Sequence, residues 1–145
     1  MHDCLFCKIA SGEIPSKKIY EDSATLAILD INPAAVGHIL VIPKKHFENI
    51  FDVEEPTLRE LIESTQKVAK NLREKLDCDV MILQNNGRAA GQIVSHIHFH
   101  VIPRKEGDGI HLTHQRFQMS EEQLEDMRKK LEISKKSGHE EFSRW

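Results

Sequence analysis

The chain has 145 residues, with 20 Lys and Arg against 23 Asp and Glu and a net charge of −3. That length suits one domain with its own core, and the near-balanced charge excludes a broad cationic footprint for a nucleic acid polymer. Three cysteines are too few for a disulfide scaffold, no apolar run nears the roughly 20 residues that cross a bilayer, and Met1-His2-Asp3-Cys4 opens no secretory signal, so a reducing cytoplasm and no membrane partner are expected.

The predicted elements begin with a Cys-containing leading segment and then strands. Residues 25–31 form a short apolar run that Asn32-Pro33 ends in a turn. Residues 38–42 form a second run, opened by Gly37 and closed by Pro43. The pair reads as an antiparallel hairpin. A long helix follows, with Asp52 and Glu55 spaced as a capping box and Pro56 in the first turn. Its apolar face is Leu58, Leu61, Ile62, Thr65, Val68, Ala69, Leu72 and Leu76. Residues 79–84 read as a strand, Asn85-Asn86-Gly87 and Ala90-Gly91 as a loop, and residues 95–102 as another strand. A second helix starts at Ser120, capped with Gln123, and carries Leu124, Met127 and Leu131. After Ser134 the tail is polar, ending in Phe142 and Trp145. Strands, a helix and more strands predict an α+β fold around an antiparallel sheet.

The decisive segment is His96-Ile97-His98-Phe99-His100-Val101-Ile102. Alternation puts the three imidazoles on one face, about 6.6 Å apart, and turns Ile97, Phe99 and Val101 into the core. Three histidines at every open-face position add neither packing nor strand propensity, so a structural accident explains them poorly. Two chemistries fit. Paired imidazoles on a strand can hold a catalytic zinc with an open position. Alternatively, one imidazole attacks phosphorus while its neighbours hold the phosphoryl oxygens. Asn85, Asn86, Gly87, Gly91 and Gln92 just upstream can donate to an anionic phosphoryl group, which favours the second.

The pattern of alternating histidines resembles the signature of the histidine triad (HIT) nucleotide hydrolases and transferases. The resemblance extends through Cys4-Leu-Phe-Cys-Lys-Ile9, Glu13-Ile-Pro15, Leu29-Asp-Ile31, Gly37-His-x-Leu-Val-Ile-Pro-Lys44 with His46, Asn85-Asn-Gly87 and Gly91-Gln92. It covers about residues 4–104 of a single HIT domain, with residues 105–145 as a C-terminal extension. It is similar to bacterial-type HIT proteins and, more loosely, to the Hint and fragile-histidine-triad branches.

The resemblance implies that His98 attacks the α-phosphate of a purine nucleotide derivative and carries a transient nucleotidyl group. A backbone carbonyl or polar neighbour at its other nitrogen would fix the tautomer. His100, His38, Gln92 and Asn85 would surround the phosphate, and Asp30 would accept hydrogen bonds from the ribose. Leu5, Phe6, Ile9, Ile28, Ile31 and Leu40 would form the base slot, although apolar residues there also suit a plain core. The family pattern further implies a homodimer and no organic cofactor. A nucleotidyl transferase, a phosphoramidase and a purine-nucleotide-binding regulatory protein with little turnover are the competing functions. One departure stands out: where the Hint branch carries a serine after the glutamine, this chain has Ile93, and Ser95 is out of phase to replace it.

Cys4-x-x-Cys7 by itself is a weak signal that leaves redox chemistry, zinc and accident all open. The cysteine pair resembles that of the galactose-1-phosphate uridylyltransferases, which implies a structural zinc held by Cys4, Cys7, His46 and His96. Cys78 reads as a small buried hydrophobe, and His2, His111, His114 and His139 have no partner pattern.

Overall fold

The computed structural model describes residues 3–111 and 116–133. The chain divides into two compact units, residues 1–110 and 111–145, and each is treated by itself. The first unit contains α1 (Leu5–Ala10), β1 (Lys18–Glu21), β2 (Thr25–Leu29), β3 (Ile39–Pro43), α2 (Glu55–Leu76), β4 (Asp79–Leu83), a 3-10 turn (Arg88–Ala90) and β5 (Phe99–Arg104). The second contains α3 (Glu121–Leu131), which starts with a complete Ser120–Gln123 capping box, as its sequence predicts. Leu124, Met127 and Leu131 on it are exposed. The expected polar tail, His2, His114 and His139 lie outside the described residues.

The five strands form one antiparallel sheet in the order β1-β2-β3-β5-β4. The predicted hairpin is β2 paired with β3, Leu26 opposite Ile42 and Ile28 opposite Leu40. Period-2 alternation then sends residues to two different cores. Ala27, Ile39, Val41, Ile97, Phe99 and Val101 pack with Leu61, Val68 and Leu72 of α2. Leu26, Ile28, Leu40 and Ile42 pack instead with Phe6 and Ile9 of α1. Both sheet faces are therefore covered, which explains why β3 is buried at all five positions.

Three details depart from expectation. Helix α2 begins after Glu54 with no side-chain cap. Asp52 instead accepts the backbone N–H groups of Glu48 and Asn49, so it closes the preceding turn. Ile62 and Leu76, expected on the buried face, are 50% and 41% exposed, while Ser64 is buried against Thr25. Finally, β5 starts only at Phe99, so His96 and His98 precede the paired strand. Their segment is anchored by the Ile97 N–H donating to the Phe47 carbonyl at 2.8 Å.

The turn of residues 32–37 ends at Gly37, whose φ is +100°. A Cβ there would sit 2.8 Å from Leu76 Cδ1, so glycine satisfies both the backbone angle and the close approach of the turn to α2. This packing fixes where His38, the next residue, enters the sheet.

Candidate functional site

Helix α1 lies over the sheet face that carries the histidines. The sequence alone suggests an open face, but His96 is fully buried and His98 is only 6% exposed. Phe6 is the reason: its ring meets His98 edge-on at 5.1 Å and His96 at 5.8 Å between centroids. His98 and His100 pack edge to face at 4.9 Å, and His38 meets His100 at 5.1 Å. His98, His100 and His38 thus form one cluster, reached from β3 and β5 through the Leu40–His100 register pair.

The backbone decides which nitrogen of His98 carries the proton. Nδ1 lies 2.8 Å from the carbonyl oxygen of His96, which can only accept, so Nδ1–H donates to it. Nε2 keeps its lone pair. Burial holds this imidazole below its ordinary pKa, with the His96 carbonyl opposing, so the ring stays uncharged at neutral pH. His100 is pushed down to about 4 by burial, reinforced by its neighbours His98 and His38. Burial lowers His38 as well, and Asp30 partly offsets it. Asp30, His38 and His100 have ligand atoms within 4.8 Å of one another.

The other expected residues are placed less uniformly. Asp30 follows β2, accepts the Asn32 N–H at 2.8 Å and lies 3.5 Å from His38 Nε2. Asn85 donates to the Ala90 carbonyl at 2.6 Å. Gln92 donates to the carbonyls of Glu48 and Val94 and accepts the Gly87 N–H. Both of its amide hydrogens are used within the protein, so contact with a phosphate would require exchanging one of those bonds. Among the expected slot residues, Phe6, Ile9, Ile28 and Leu40 form one buried cluster. Leu5 is partly open, and Ile31 is 89% exposed and stands away from that cluster. Ile93, where the Hint branch has serine, is exposed at 93%.

A second constellation lies beside the first. Cys4, Cys7, His46 and His96 converge with all ligand atoms within 4.8 Å. His96 Nε2–H donates to the Pro43 carbonyl at 2.9 Å, so the Nδ1 lone pair faces the cluster. From that atom, Cys4 Sγ is 3.3 Å, Cys7 Sγ 3.5 Å and His46 Nδ1 3.1 Å away; Cys7 Sγ is 3.3 Å from His46 Nδ1. A tetrahedral zinc at ordinary bond lengths separates its nitrogens by about 3.3 Å and nitrogen from sulfur by about 3.6 Å. The donor set thus fits zinc in type and in spacing. In the protein alone, burial and the adjacent Cys4 sulfur push the Cys7 thiol up to about 11. Sequence reasoning missed α1 as a helix, although Cys4 and Cys7 stand one helical turn apart and Cys4 Sγ caps it by accepting the Cys7 N–H. It also missed the carbonyls of Pro43 and His96, which no side-chain motif announces.

The α+β fold thus carries, on one face of its antiparallel sheet, a cluster of uncharged histidines beside a Cys2His2 donor set. A family profile described as HIT domain matches residues 11–107. The chain belongs to the HIT family. It is 43% identical over 110 residues to the adenosine 5′-monophosphoramidase of Candida albicans, covering 71% of each chain. A crystal structure of a HIT family protein from Bacillus subtilis superposes with a TM-score of 0.83 at 35% identity, over 91% of this chain and 99% of that one. A zinc-bound histidine triad family protein from Mycobacterium smegmatis gives 0.73 at 42% identity, over 79% and 84%. No helix among the described residues is long and apolar enough to cross a membrane.

Proposed function

We propose that the protein hydrolyses purine nucleotide derivatives at the α-phosphate through a nucleotidyl group on His98 Nε2. The observation that carries this reading is the 2.8 Å bond from His98 Nδ1–H to the His96 carbonyl, which leaves a neutral Nε2 lone pair in a buried, desolvated site. In the first step that lone pair forms the N–P bond while the bond from phosphorus to the leaving group breaks, and the leaving group departs with the electron pair and takes up a proton, so that a phosphoramidate releases ammonia. In the second step a water oxygen bonds to phosphorus and gives up a proton to solvent, the N–P bond breaks with its electron pair returning to Nε2, and the nucleoside monophosphate is released. The similarity to an adenosine 5′-monophosphoramidase supports a phosphoramidate as one substrate, with dinucleoside polyphosphates as the other class. A brief reaction with adenosine 5′-phosphoramidate, quenched and weighed by mass spectrometry, is expected to show a single adenylyl adduct on the peptide containing His98. Release of AMP with no adduct on any histidine sinks the covalent mechanism, and no release at all supports the regulatory binding protein.

Asp30 is assigned to the ribose. One oxygen accepts the Asn32 N–H and the carboxylate retains lone pairs for the 2′- and 3′-hydroxyls. Asp30→Ala is therefore expected to weaken AMP binding by about 10- to 100-fold, since a hydrogen bond to a charged acceptor contributes about 1.5–3 kcal/mol. The 2′,3′-dideoxy analogue should lose far less. Equal losses for both ligands, read by calorimetry, would assign Asp30 to structure alone.

Zinc is proposed at Cys4, Cys7, His46 and His96, where it would tie α1 to the sheet and leave the chemistry to His98. The homodimer is proposed through β4, an edge strand with no outer partner among the described residues and with Ile82 exposed. A monomer by sedimentation at micromolar concentration removes that proposal.

A further inference from the structure

His38 reads from sequence as one of the groups that surround the phosphate, yet both of its nitrogens are engaged inside the protein. The backbone N–H of Ala34 lies 2.9 Å from His38 Nδ1. A peptide N–H can only donate, so Nδ1 must accept and carries no proton. Neutral His38 therefore holds its proton on Nε2. Nε2 in turn lies 2.9 Å from His100 Nδ1 and 3.5 Å from Asp30 Oδ2. The Nε2–H donates to His100 Nδ1, because a proton on that atom too would set two hydrogens against each other. His100 is left as the Nε2–H tautomer, and this atom has no hydrogen-bond partner among the described residues.

We propose that His38 is a positioning residue that holds His100 as a fixed Nε2–H donor, and that the Ala34 N–H in the turn of residues 32–37 holds His38. The backbone thus sets two tautomers in opposite senses within one cluster. The His96 carbonyl makes His98 Nε2 a lone-pair atom, and the Ala34 N–H makes His100 Nε2 a donor. A nucleophile and a hydrogen-bond donor are thereby fixed on adjacent rings 4.9 Å apart, before any ligand arrives. What His100 donates to, a phosphoryl oxygen or the departing atom, rests on the hydrolase reading; the tautomer pattern does not. The same pattern works against a divalent cation between Asp30, His38 and His100. The nitrogen that His38 turns towards that space carries a proton, and moving it to Nδ1 would press it against the Ala34 N–H.

The test is the side-chain spectrum of the full chain labelled with 15N-histidine, at pH 7, where one-bond and longer-range couplings distinguish the two tautomers. The expected result is Nε2–H for His38 and His100 and Nδ1–H for His98. His100 found as Nδ1–H, as imidazolium or as an even mixture overturns the proposal. Removing the donor with His38→Leu is then expected to convert His100 to a tautomer mixture, lowering kcat by about 10- to 100-fold while KM for the nucleotide changes less than about threefold. A raised KM at unchanged kcat would mean that His38 touches substrate directly, and overturns it. Ala34→Pro, which removes the N–H, should release the His38 tautomer; an unchanged His38 spectrum overturns the anchor. Should either variant fail to fold, the wild-type spectrum decides. The expected tautomers in a protein without nucleotide turnover would sink the hydrolase reading and leave this proposal standing.

Discussion

His98→Ala is expected to lower turnover of adenosine 5′-phosphoramidate by at least about a thousandfold, because the unprotonated nitrogens of His38 and His100 already accept hydrogen bonds within the protein and only His98 Nε2 keeps its lone pair for phosphorus. AMP binding should persist within about tenfold, since Asp30 and His100 remain. The fold should also persist, though at a cost that an open-face residue would not incur. His98 lies beneath Phe6 and satisfies the His96 carbonyl, so truncation opens a small void and strands one acceptor. Together these cost about 2–3 kcal/mol, which a domain with two packed cores tolerates. Steady-state kinetics, AMP titration and thermal denaturation of the same preparation check the three statements. Near-native turnover in His98→Ala, with loss in His100→Ala instead, would reverse the nucleophile assignment.

Much of the scaffold is legible in the sequence because it is written in local patterns. Thr25–Leu29 and Ile39–Pro43 announce a hairpin through two apolar runs and a Pro-containing turn, and Ser120 with Gln123 announces a helix start. The histidine alternation correctly assigns Ile97, Phe99 and Val101 to the α2 core. It does not reveal what lies over the opposite face. That is decided by α1, a six-residue helix too short for periodicity to show, whose Phe6 and Ile9 close the face and bury His96 and His98. Asp52 misleads for a related reason: Asp at such a position caps a helix or closes the turn before it with the same side-chain chemistry, and here the turn takes it.

The least legible features are the ones that fix protons. The Pro43 carbonyl is 53 residues from His96, and it is a backbone atom, so no choice of side chain records it. Ala34 contributes only its N–H to His38. Gln92 shows the reverse case. Its type suggests a phosphate donor, while its contacts with Glu48, Val94 and Gly87 make it the brace of the loop that follows β4. A residue type specifies what hydrogen bonds a side chain can make, and the packing decides where they go.

Protein purified without chelator is expected to hold one zinc per chain, with Zn–S near 2.3 Å and Zn–N near 2.0–2.1 Å by X-ray absorption. The double variant Cys4→Ser, Cys7→Ser should lose that metal and melt about 10 °C lower. The shift corresponds to roughly 3 kcal/mol for a domain of this size. It is well short of the 10–16 kcal/mol by which zinc folds a finger peptide, because the α2 core does not depend on α1. The loss should concentrate where the ligands act. Cys4 and Cys7 cap and carry α1, and Phe6 between them is the ring that covers His98. His96 contributes Nδ1 to the donor set and its carbonyl to His98. Two contacts thus link the Cys2His2 donor set to His98, a ring edge and a hydrogen bond. Turnover in the double variant should accordingly fall but stay measurable, with the His98 Nδ1–H bond present in only part of the population. An unchanged melting temperature in metal-free protein, or a Cys4–Cys7 disulfide in its place, would exclude the anchor. Abolition of turnover by mild chelation with the melting temperature intact would instead place the metal in the chemistry.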